Sequence, residues 1–230
     1  MRVKLTIYCC LIGLAVNAQN SKVSLSTFFT PSYAYRYTNT VDNSGEKQKT
    51  YRDSIDKHMF GFQAGQLVHF QVNKYLSINS GICFSDMGHL QRHRYLIKSA
   101  LGDTLANKKL DLFYHRTYLD IPLTFEIKLR QDRLSYFTTT GIEANFLLNK
   151  YELALLDDEP QAIKVVNNAA INKINLSVRI GFGASYLLTP TTSFYMAATA
   201  KTQLKPIITD ELKEYNYLAG ITLGIRYRLK

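Results

Sequence analysis

His89 and His93 stand four residues apart in His-Leu-Gln-Arg-His, the spacing with which one face of a helix grips a zinc ion. On a strand the same four residues span about 13 Å, too far for one ion to bridge. The segment around them therefore decides whether they are ligands. Ser85, His115 and Asp120 form a second grouping, with the hydroxyl, imidazole and carboxylate that acyl transfer requires. No motif fixes these three relative to one another. No glycine-rich phosphate loop occurs, and Cys83 is the only cysteine beyond the first ten residues, which leaves no Cys-x-x-C pair. No metal and no cofactor are expected.

The remaining chemistry is charge. The 230 residues carry 28 Lys and Arg against 18 Asp and Glu, a net charge of +10. Such an excess suits nucleic acid or an anionic membrane surface. The first residues choose between them. MRVKLTIYCCLIGLAVNAQN has basic Arg2 and Lys4, an apolar run from Leu5 to Val16, and small or modest side chains at Val16-Asn17-Ala18. This reads as a secretory signal peptide over residues 1–18, cut between Ala18 and Gln19. Its apolar run is too short to span a bilayer, and too few residues precede Cys9 and Cys10 for a lipoprotein signal. Export argues against a nucleic-acid partner. It leaves residues 19–230 as one domain.

The elements that position these charges are strands. In HRTYLDIPLTFEIKL, residues 115–129, the column Leu119, Ile121, Leu123, Phe125, Ile127, Leu129 alternates with Tyr118, Asp120, Pro122, Thr124, Glu126, Lys128. A period of two is a strand with one apolar face. The pattern recurs near residues 23–37, 59–72, 75–85, 134–148, 174–188, 192–203 and 215–229, which makes eight strands. Asn73-Lys74, Arg130–Arg133 and Thr189–Thr191 supply tight turns. Long polar stretches lie near 38–57, 88–111, 149–172 and 204–214. Alternating short and long connections between long strands predict an eight-stranded, antiparallel, up-and-down transmembrane β-barrel, all-β in class. The alternative is a soluble lipocalin-like barrel or β-sandwich with the apolar face inside. An eight-stranded barrel has room inside only for modest side chains. The polar columns, such as Asn175, Ser177, Arg179, Gly181, Gly183, Ser185, fit it better than the Phe, Ile and Leu columns do. Tyr residues at the strand ends, among 16 in the chain, read as an interfacial girdle.

With the apolar face outward, the ionisable residues of the polar columns point into the lumen. Buried charges must pair, so a mutually neutralising network is expected around Glu126, Glu143, Arg179 and Arg226, with Asp120 and Lys128. Its first reading is a structural plug and its second a proton or ion path. In the 88–111 stretch, Arg92, Arg94, Lys98, Lys108 and Lys109 outnumber Asp103 and Asp111. This basic external loop either contacts lipopolysaccharide phosphates or is simply solvated.

Five pieces carry a family likeness: the signal ending at Ala18-Gln19, TYLDIPLTFEIKL (117–129), TTGIEANFLLN (139–149), INLSVRIGFGASYLL (174–188) and YLAGITLGIRYRLK (217–230). With them the chain resembles the PorT-like small outer-membrane β-barrel proteins of the Bacteroidota. The resemblance implies insertion by the barrel assembly machinery and a possible link to type IX secretion. The ending Tyr227-Arg-Leu-Lys230 departs from the terminal aromatic usual for that machinery. A monomeric, non-enzymatic scaffold is expected, held in outer-membrane lipid and acting on an unknown protein partner through its external loops. A narrow passive channel or transporter is the second hypothesis, and an outer-membrane lipid-modifying enzyme is the third.

Overall fold

The computed structural model describes residues 23–40, 46–94, 97–98, 104–105, 109–129, 132–156, 163–165, 171–207 and 212–229. In chain order the elements are β1 (Val23–Thr40), α1 (Glu46–Ile55), β2 (Asp56–Lys57), β3 (Met59–Gln71), β4 (Leu76–Arg94), β5 (Ile97–Lys98), β6 (Thr104–Leu105), β7 (Lys109–Lys128), β8 (Leu134–Leu156), β9 (Ile163–Val165), β10 (Ile174–Leu187), β11 (Thr192–Gln203) and β12 (Leu212–Arg228). Eight of these strands form the wall. Each pairs antiparallel with its neighbour in the order β1, β3, β4, β7, β8, β10, β11, β12. The first and last then zip together from Ser24 opposite Arg228 to Thr40 opposite Leu212. Around the ring each wall strand thus pairs on both sides, the condition for a sheet to cross hydrocarbon.

Two of the short turns are tied by local side-chain bonds. Asn73 Oδ1 accepts from the backbone N–H of Tyr75 and Leu76 at 2.8 and 2.9 Å. Thr189 Oγ1 accepts from the N–H of Thr192 at 3.0 Å. These bonds add to the backbone bonds that close the same turns, from Val72 N–H to the Leu76 carbonyl and from Leu188 N–H to that of Thr192.

Exposure settles which face is which. Ile121, Leu123, Phe125 and Ile127 are 42–45 % exposed, while Asp120 and Glu126 between them are 0 % and 1 %. A soluble barrel would show the reverse. Phe182, Met196 and Ile225 on other strands are likewise more than half exposed. Such a continuous apolar belt is stable only against lipid. Its rim toward the short turns carries Tyr75 and Tyr186, with Lys74 Nζ 4.9 Å from the first ring centre and Arg133 5.1 Å from the second. Amphipathic rings and long cations suit the headgroup level. At the opposite end Tyr37 stacks on Tyr215 at 4.9 Å and Tyr35 meets Tyr217 edge-on at 5.8 Å.

The strands run farther than their apolar alternation. The expected strand 75–85 continues as β4 to Arg94, 115–129 starts at Lys109 as β7, and 134–148 continues as β8 to Leu156. The stretch 38–57, expected as a polar loop, contains α1 and β2. The 88–111 segment is therefore a loop only in part. Arg92 lies inside β4 and pairs with Asp111 at 3.2 Å. The backbones of Arg94, Lys98 and Lys109 lie in β4, β5 and β7, and Lys108 lies outside the described residues. Ala18 and Gln19 lie outside them too. The β7–β8 register shifts once: Thr117 faces Asn149 but Tyr118 faces Leu147. The extra residue, Leu148, swaps the faces of β8 beyond it.

One glycine sets the lumen packing. A Cβ on Gly224 would lie 2.4 Å from Cζ of Tyr195, so only glycine lets that ring lie across the lumen. Gly224→Ala is expected to destabilise the folded barrel by about 1–3 kcal/mol, the cost of overpacking. Adding Tyr195→Ala should reduce the penalty. Urea unfolding of the folded band on unboiled gels measures both, and a neutral Gly224→Ala would show that the ring moves freely.

Candidate functional site

The lumen is filled in alternating ionic and apolar layers. Nearest the short turns, Arg226 on β12 forks onto Glu126 on β7, Nη1 to Oε1 at 2.8 Å and Nη2 to Oε2 at 2.5 Å. Above it sit Phe28, Leu67, Cys83, Phe137, Tyr195 and Ala197. Cations face this apolar layer from both sides: Arg226 lies 5.4 Å from the Tyr195 ring centre and Arg179 5.3 Å from that of Phe28.

The middle ionic layer is the most completely bonded. Asp120 accepts from Lys201 Nζ at 2.6 Å, Asn145 Nδ2 at 2.6 Å, Ser85 Oγ at 2.7 Å and Gln63 Nε2 at 3.1 Å. Glu143 meets Lys201 at 2.8 Å and Arg179 at 3.1 Å. Gln63 links the two carboxylates and returns its carbonyl to Arg179 at 2.9 Å. Ser177 donates to Asn145 Oδ1. Two carboxylates thus face two cations, and Asp120, Glu143, Asn145 and Ser177 are all 0 % exposed. Burial of this kind is tolerable only because every charge is paired.

A second apolar layer follows, of Ala34, Met59, Met87, Leu90, Tyr118 and Leu218. The outermost layer lies at the long-connection end. Arg36 forks onto Asp56 at 2.9 and 2.8 Å and also reaches Glu214 at 2.8 Å. Arg52 from α1 joins Glu214 at 2.5 Å, and Arg116 lies 3.7 Å from it. The helix is thereby tied to the mouth of the barrel by charge, since none of its residues is buried.

The residues expected in one network are thus divided. Glu126 and Arg226 form one layer, and Glu143, Arg179 and Asp120 form another with Lys201. Lys128 sits nearest the first of these, half-buried in the mouth at the short-turn end, where its charge acts on Glu126. Sequence reasoning did not find Asp56, Glu214, Arg52 and Arg116. The first two lay in or beside polar stretches outside the expected strands.

The hydrolytic grouping is not assembled. Ser85 bonds Asp120 inside the lumen, but His115 lies on the outer face, 2.7 Å from Asp86 and stacked on Tyr151 at 4.7 Å. The physical reason is the odd spacing: five residues along a strand place His115 and Asp120 on opposite faces. A different set of the same types does meet inside. Ser26 Oγ lies 2.7 Å from His69 Nε2, and His69 Nδ1 lies 3.9 Å from Glu126. That last gap is no hydrogen bond, and Arg226 already holds both oxygens of Glu126, so this carboxylate does not orient the imidazole as a triad acid would. His89 is buried and stacks on Tyr114 at 4.5 Å. Among the described residues no three His, Cys, Asp or Glu side chains group as metal ligands.

The chain is similar to several solved outer-membrane proteins. Neisserial surface protein A has 10 % identity and a TM-score of 0.46, with 90 % of this chain and 97 % of that one covered. The outer membrane protein OprG from Pseudomonas aeruginosa has 10 % identity and a TM-score of 0.43, covering 91 % and 96 %. The outer membrane protease OmpT from Escherichia coli has 10 % identity and a TM-score of 0.41, covering 91 % and 97 %. No curated protein matches the chain. The family model described as outer membrane protein beta-barrel domain matches residues 17–200. With an outward apolar belt, a closed eight-stranded wall and that match, the chain belongs to the outer membrane protein beta-barrel domain family and is a protein of the outer membrane.

Proposed function

We propose that this barrel is a non-enzymatic anchor that presents the long-connection ends of its strands, with α1, to a protein partner outside the membrane. The carrying observation is the filled middle of the lumen, where Asp120, Glu143, Asn145 and Ser177 are fully buried and mutually bonded. A lumen packed in this way serves rigidity better than passage. Residues 1–18 act in this reading as a signal peptide removed after Ala18. The mature chain is a monomer inserted by the barrel assembly machinery. The PorT-like resemblance makes type IX secretion components of the Bacteroidota the first partners to try, and lipopolysaccharide is the lipid contact to test at Arg92 and its basic neighbours.

Two measurements test this reading. Planar-bilayer recording of the folded protein is expected to show no steady conductance. Glu143→Ala is expected to introduce flickering current, because it opens a gap in the central layer. Steady conductance of the unaltered protein would favour the channel instead. Crosslinking in cells, with a photoreactive residue at Thr50 on exposed α1, is expected to give a discrete adduct. An adduct pattern identical to that from the lipid-facing position Phe182 would overturn the partner role. Unchanged outer-membrane lipids in a deletion strain would remove the lipid-modifying alternative.

A further inference from the structure

The short-turn end of the barrel opens into a cavity of about 430 Å³ whose charges, unlike those of the middle layer above it, do not balance. Among the described residues, Lys128, Arg133, Arg226 and Arg228 line it against a single carboxylate, Asp132. Glu126, just inside, offsets Arg226 through the fork between them. Among the described residues two positive charges remain in excess. Five serines and Gln71 make up much of the remaining wall, so the surface is hydrogen-bonding rather than apolar. Arg226 is 9 % exposed, and its buried Nε donates no hydrogen bond among the described residues. The fork to Glu126 thus leaves a spare donor where this cavity adjoins a smaller one of about 40 Å³ beside His69. Lys128 and Asp132 have contacts of their own, and Arg133 sits at the rim over Tyr186.

Guanidinium and ammonium groups set among hydroxyls match the oxygens of phosphate and carboxylate groups. A concave site with low-dielectric walls concentrates the field of its charges and draws counter-ions in. The volume falls within the range of small-molecule sites, and the polar wall disfavours an apolar occupant. We propose that this cavity binds a small multivalent anion, a solute bearing phosphate or carboxylate groups, from the periplasmic side that the short turns face. The packed layers above make it a dead end, so it holds its ligand rather than passing it. The site lies at the opposite end from the surface assigned to a protein partner and stands independently of that role.

Isothermal titration calorimetry on the detergent-folded full chain tests this, with pyrophosphate as the phosphate probe, citrate as the carboxylate probe and sucrose as the neutral control. Saturable binding of pyrophosphate, citrate or both is expected, weakened by salt, with none for sucrose. Pyrophosphate alone would assign the ligand to phosphates, and citrate alone to carboxylates. The double variant Arg133→Ser, Arg228→Ser removes two exposed rim charges and is expected to weaken binding at least about tenfold, or about 1.4 kcal/mol. Arg228→Ser alone serves if the double variant does not fold, as judged by its heat-dependent gel shift. Lys57→Ser, an exposed cation of β2 at the other end, should change nothing. No saturable binding of either anion would overturn the proposal, as would affinity unchanged by the rim variants.

Discussion

Glu143→Ala is expected to destabilise the folded barrel by about 3–5 kcal/mol, the cost of removing one partner from a fully buried ionic cluster. The arithmetic of the middle layer sets the size. Asp120 and Glu143 balance Arg179 and Lys201, and all four are less than a tenth exposed. With Glu143 gone, two cations are balanced by Asp120 alone, whose oxygens already accept from Ser85, Asn145 and Gln63. Arg179 keeps only the Gln63 carbonyl and the Phe28 face. Lys201→Met in the same chain removes the excess charge, so the double variant should recover a large part of the loss. Urea unfolding in lipid vesicles, followed by the heat-dependent gel shift, gives the three values. A single-variant cost below about 1 kcal/mol would mean that water screens the layer as it does a surface pair, and the packed-lumen account would fail.

How far the sequence alone leads is visible in β7 and its neighbours β4 and β8. In β7, Leu119 to Leu129 alternate with Tyr118 to Lys128 so regularly that strand, faces and inward charges are all legible. Lipid on one side and a narrow lumen on the other impose that contrast. Beyond the lipid it disappears. Asp86, His115 and Tyr151 occupy outward positions where the wall leaves hydrocarbon, and their polarity erased the signal although the ladder pairs on to Arg94 and Leu156. The same blindness hid Arg116, Asp56 and Glu214. The heights of the inward charges were not legible either. Glu126, Glu143, Arg179 and Arg226 share a face, but strand tilt and register set their levels. Only with Ser24 placed opposite Arg228 does Glu126 fall beside Arg226 and away from Glu143.

Ile180→Arg is expected to cost the barrel about 2–4 kcal/mol, whereas Tyr186→Arg on the same strand should cost about 0–1 kcal/mol, because a cation on the lipid face is penalised by depth. Both side chains point outward from β10, 56 % and 39 % exposed. Ile180 sits near mid-strand, opposite Thr140 and Ala200, far from either rim. Tyr186 lies one residue before the strand end, where Arg133 already reaches over its ring. A new arginine there can extend its head to the phosphates, and one at position 180 cannot do so without thinning the bilayer. In water the ordering would vanish, since an outward cation is then merely solvated. The discriminating quantity is the difference between the two sites, measured as unfolding free energy in lipid vesicles of one composition. Equal penalties would mean that the apolar belt does not meet hydrocarbon, and the outward columns would then need a protein partner to cover them. A gap of two or more kcal/mol ties the alternation in β10 to the solvent that demands it.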